Sequence, residues 1–64
     1  MNDLIKKRNA KIDNLVSDLD DMITAIENAE TFFGADKEAE ENYANAIISI
    51  KSAMSSLEDV KKSN

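Results

Sequence analysis

The chain has 64 residues, 8 basic against 13 acidic side chains and a formal net charge of −5. That length allows one domain at most, near the lower limit for folding without a metal, disulfide or second subunit, and leaves little material for an enclosed active site. With neither Cys nor His in the chain, disulfides, thiolate nucleophiles, the usual zinc sites and imidazole base chemistry are excluded together.

Lys6, Lys7, Arg8 and Lys11 open the chain without an uninterrupted apolar stretch behind them, so neither a signal peptide nor a membrane span is expected. A cytoplasmic protein is the expectation. From there an apolar residue returns every seventh position, at Ile5, Ile12, Leu19, Ile26 and Phe33, which we label row a. Row d is then Arg8, Leu15, Met22 and Ala29, while Val16 and Ile23 add row e. A stripe of this width predicts an amphipathic helix over about residues 3–33.

Gly34, the single glycine, follows the stripe and can take the left-handed conformation that ends a helix. Asp36 can cap the next helix by accepting a backbone N–H, so the turn is predicted at 34–36. The second helix, about 37–62, repeats the design. Its row a is Tyr43, Ile50 and Leu57, row d is Ala39, Ala46, Ala53 and Val60, and Ile47 and Met54 fill row e. With no proline to interrupt either stretch, residues 1–64 read as one all-α domain, an antiparallel hairpin of roughly 45 Å at 1.5 Å per residue.

An antiparallel register pairs Ile12 with Leu57, Leu19 with Ile50 and Ile26 with Tyr43. Between these layers it sets Leu15 against Ala53, Met22 against Ala46 and Ala29 against Ala39, so the axes are expected to approach towards the lower end of the usual range of roughly 8–10 Å. Two helices cannot cover a stripe of three rows on each. Completion as a four-helix bundle, by homodimerisation or by a protein partner, is therefore expected, with Val16, Ile23, Ile47, Met54 and Ile48 as candidate partner-binding residues.

Charge divides along the hairpin. Lys6, Lys7, Arg8 and Lys11 form a candidate basic pole with Lys61 and Lys62, and Glu27, Glu30, Glu38 and Glu41 form a candidate acidic face near the turn. Nucleic-acid binding is disfavoured, because a chain of net charge −5 provides a weak basic field and its aromatic residues do not interleave with the basic cluster. Asp18, Asp20 and Asp21 lack the turn glycine and closing glutamate of a calcium loop, so no metal or other cofactor is expected. Helix-surface carboxylates without a desolvating pocket, and Lys51 near Ser52 and Ser55, provide no catalytic constellation, and no enzymatic activity is expected.

The length, the turn near the midpoint and the alanine row Ala39, Ala46, Ala53 resemble the plasmid copy-number proteins that form Rop-type bundles. That resemblance implies an RNA-binding dimer using a polar helix face, although no such face matches residue by residue. Gly34 followed by a helix carrying Tyr43, Ile47, Ile50 and Met54 is similar in layout to the hairpin co-chaperones of type III secretion needle subunits, which implies capture of another helical protein. A small acidic phage-type inhibitor of a nuclease or defence protein is a further alternative. The leading expectation is a non-enzymatic protein-interaction module that inhibits, chaperones or tethers its partner through helix packing.

Overall fold

The computed structural model describes residues 2–63, which form two helices, α1 (Asn2–Phe33) and α2 (Lys37–Lys61), packed as an antiparallel hairpin of 50 × 16 × 9 Å. Among the described residues there is no strand and no third layer. The connection is made by two backbone devices. Gly34 adopts φ 72° and its N–H donates to the Glu30 carbonyl at 2.9 Å, closing the last turn of α1. Asp36 is extended at φ −74° and ψ 179°, and its side chain accepts from the Ala39 N–H at 2.8 Å while its carbonyl accepts from the Glu40 N–H at 2.9 Å. One residue thus ends α1 and another starts α2.

The packed seam follows rows a and e. On α1 the residues turned inward are Ile5, Ile12, Val16, Leu19, Ile23 and Ile26, alternating in steps of four and three once Ile12 is reached. On α2 they are Tyr43, Ile47, Ile50, Met54 and Leu57. Among the described residues only Ile12, at 5% exposure, and Ile23, at 7%, are buried. Every other seam residue is half-buried, as expected where each helix has a single neighbour.

This corrects the expected register between the layers. Leu15 and Met22 do not face Ala53 and Ala46 across the hairpin; they are 49% and 51% exposed, and Ala53 is exposed too. Phe33, assigned to row a, is 78% exposed at the end of α1. The reason lies in α2. Its row d offers small alanines, whereas row e offers Ile47 and Met54, so turning row e inward removes more apolar surface from water. Ala29, Ala39 and Ala46 remain half-buried beside the seam.

The open end is held by polar ties. Arg8 donates through Nη2 to the Ser63 carbonyl at 2.8 Å and through Nε to Asn9 Oδ1 at 3.2 Å. Lys61 ion-pairs with Asp13 across the helices and lies 3.6 Å from Glu58 within its own.

Candidate protein-interaction face

The hairpin leaves more of itself in water than a chain of its mass usually does. Folded monomers of 7.1 kDa expose about 4,100 Å² by the usual scaling with mass, and this one exposes 5048 Å². The difference, about 900 Å², reflects the elongated shape of two helices that pack against each other along a single seam.

Much of the apolar part is gathered on one side. Leu4, Leu15, Met22 and Phe33 are exposed, and their spacings are 11, 7 and 11 residues. At about 100° per residue, a step of eleven gains about 20° and a step of seven loses about 20°. The drifts cancel, so the four side chains form a straight row along α1. This row lies beside the seam on the flank that carries row d.

In an antiparallel pair the same flank of both helices faces the same side of the hairpin. Row d of α2, with Ala46, Ala53 and the exposed Val60, therefore adjoins the α1 row on one broad face. Five of the seven large apolar side chains left exposed among the described residues belong to this face. The remaining two, Phe32 and Ile48, lie on the outer edges of α1 and α2. Phe32 stacks edge-on against Phe33 with ring centroids 5.0 Å apart.

The opposite broad face is charged, with Asp13, Asp20 and Glu27 from α1 and Lys51 and Glu58 from α2. Asp13 and Glu58 both approach Lys61, which confirms that these flanks share a side. The Lys61 ammonium is held above its ordinary value chiefly by its hydrogen bond to Asp13, against a smaller lowering by burial, with the charges of Asp13 and Glu58 adding to the rise.

The residues singled out from sequence are distributed differently from the expectation. Val16, Ile23, Ile47 and Met54 belong to the intramolecular seam, so in the closed hairpin they face the neighbouring helix; Ile48 alone of the five is freely exposed, at 64%. Glu27, Glu30, Glu38 and Glu41 share the turn end but no single face: Glu30 is half-buried at the end of the seam, and the other three point in different directions around the two helices. Lys6, Lys7 and Lys11 are exposed around the start of α1, and Arg8 is half-buried against the chain end. The residues missed are Leu4, Leu15, Met22, Phe33 and Val60 as an outward set. The 11–7–11 spacing was the signal that could have separated them from the seam.

Among the described residues the hairpin encloses no cavity and gathers no cluster of three or more carboxylates suited to a metal ion. No described helix is long and apolar enough to cross a membrane. Comparisons with protein-family models, with curated proteins and with solved structures returned no match.

Proposed function

We propose that this chain is a non-enzymatic protein-interaction module of the cytoplasm, which inhibits, chaperones or tethers another protein by packing helices onto the broad face formed by Leu4, Leu15, Met22, Phe33 and Val60. The observation that carries the reading is the collection of these five exposed apolar side chains on one side of a hairpin whose other side is charged. Exposed apolar side chains gathered on one side of a small fold are a feature of contact sites. A partially exposed Leu or Met contributes on the order of 1 kcal/mol when a partner covers what remains of it. Several acting together can outweigh part of the cost of association, with surrounding charge setting orientation and on-rate.

A photo-crosslinking residue placed at position 22 or at position 20, in cells that express the protein, tests this. Adducts with another protein from position 22 and none from position 20 are expected, because Met22 lies on the apolar face and Asp20 on the charged one. Equal labelling from both positions, or none from position 22, would overturn the reading. Adducts consisting solely of a second copy would also overturn capture of a different protein.

A further inference from the structure

We propose that the first occupant of the apolar face is a second copy of this chain, which a different protein displaces when it binds, lying antiparallel to the first so that the two turns sit at opposite ends of a four-helix bundle. The inference rests on the row being a protein-docking face, and three observations choose the occupant and its direction.

The first is the spacing of the row. Leu4, Leu15, Met22 and Phe33, at intervals of 11, 7 and 11, read the same in both directions. Two copies of α1 laid face to face and reversed bring Leu4 of one against Phe33 of the other and Leu15 against Met22. The dyad falls between Asp18 and Leu19, close to the middle of the 32-residue helix. Isologous contacts of this kind are what a twofold dimer requires. A parallel arrangement would instead set α1 over α2, whose facing row carries alanines at 46 and 53 where α1 carries Met22 and Leu15.

The second is charge. Residues 2–13 and 57–63, at the open end, carry six basic side chains and four acidic ones, whereas residues 26–43, at the turn end, carry six acidic and one basic. Copies with their turns together would face two strongly acidic ends across a bundle whose neighbouring axes are roughly 8–10 Å apart, about one Debye length at physiological salt. Reversing one copy places a net positive end beside a net negative end twice.

The third is area. A standard protein interface covers about 800 Å² on each partner. The excess exposure of this hairpin is about 900 Å² over the 4,100 Å² usual for its mass. The excess is thus large enough to supply the interface that one second copy needs.

The test combines sedimentation equilibrium with pulsed electron-spin distances from a spin label on an Ala35→Cys variant, Ala35 being exposed in the turn and the chain having no other cysteine. A dimer is expected whose labels stand about one hairpin length apart, near the 50 Å long dimension. Labels within about 20 Å would mean turns side by side, at the spacing of adjacent helices, and would overturn the proposed direction. A helical monomer at every concentration would overturn the second copy as occupant, while crosslinks to another protein from position 22 would still sustain the docking face itself. Met22→Asp should yield a monomer of unchanged helicity per residue at concentrations where the native chain is dimeric. Ile48→Asp, which adds the same charge at an exposed apolar residue off the face, should remain dimeric. Dissociation by both variants alike would overturn the assignment of the face.

Discussion

Met22 and Ile23 are consecutive and apolar, and the hairpin puts them to opposite uses. Ile23 is 7% exposed in the seam, while Met22, about a hundred degrees further around the same helix, remains half in water. Nothing intrinsic to either side chain decides this. The decision is made by α2, which has Ile47 and Met54 to offer on one flank and alanines on the other. A residue's role in so small a fold thus depends on what its single neighbour can bury against it.

The largest expected effect breaks that contrast directly. Ile23→Asp would leave a charge without a partner in the seam, at a cost of roughly 3–5 kcal/mol, enough to remove most of the helicity of an isolated hairpin as followed by circular dichroism. Met22→Asp should change the stability of the closed hairpin by less than about 1 kcal/mol, since exposed substitutions have small effects and Asp lowers helix propensity only modestly. Equal loss of helicity in the two variants would remove the distinction between seam and face.

Smaller effects are expected at the turn. Gly34→Ala meets no atom within 4 Å, so its cost is that of the backbone at φ +72° alone, about 1–2 kcal/mol in a thermal or urea melt. Asp36→Ala removes the side-chain acceptor for the Ala39 N–H and should cost about 1 kcal/mol. Full retention of stability by Gly34→Ala would show that the connection can change its conformation without loss.

The smallest effect belongs to Lys61. Its raised value means that the stabilisation from its charged form is fully present below the ordinary lysine value of 10.5 and fades as pH rises through the higher value of the folded chain. The difference in melting temperature between the native chain and Lys61→Met should therefore narrow in strongly alkaline solution. A difference that stays constant across that range would show that the Asp13 contact does not stabilise the fold.

Both helices and the turn were legible in the sequence because each has a local cause: the seven-residue rows, a lone glycine and an aspartate placed to cap. The inward placement of Ile12, Leu19 and Ile26 on α1 and of Leu57, Ile50 and Tyr43 on α2 follows from the same rows. The choice between rows d and e could not be read from α1 alone, where Leu15 and Met22 are as apolar as Val16 and Ile23. It required weighing both helices together, and the alanines of α2 looked like an invitation to close approach when they were the less profitable surface to bury. Reading in sevens also hid the outward row, because two of its three intervals are elevens.

The three-residue turn, finally, gives the hairpin a direction in time as well as in space. Ile26 and Tyr43 are separated by few residues, and Ile12 and Leu57 by many, so the first pair to meet costs the least chain entropy. Once it has formed, each following pair closes only a short additional loop, and the seam advances outward from Gly34. The end carrying Arg8 and Lys61 is then expected to close last and open first. Its contacts with Ser63 and Asp13 act on an otherwise fraying end, at the point where the two strands of the zipper are most easily parted.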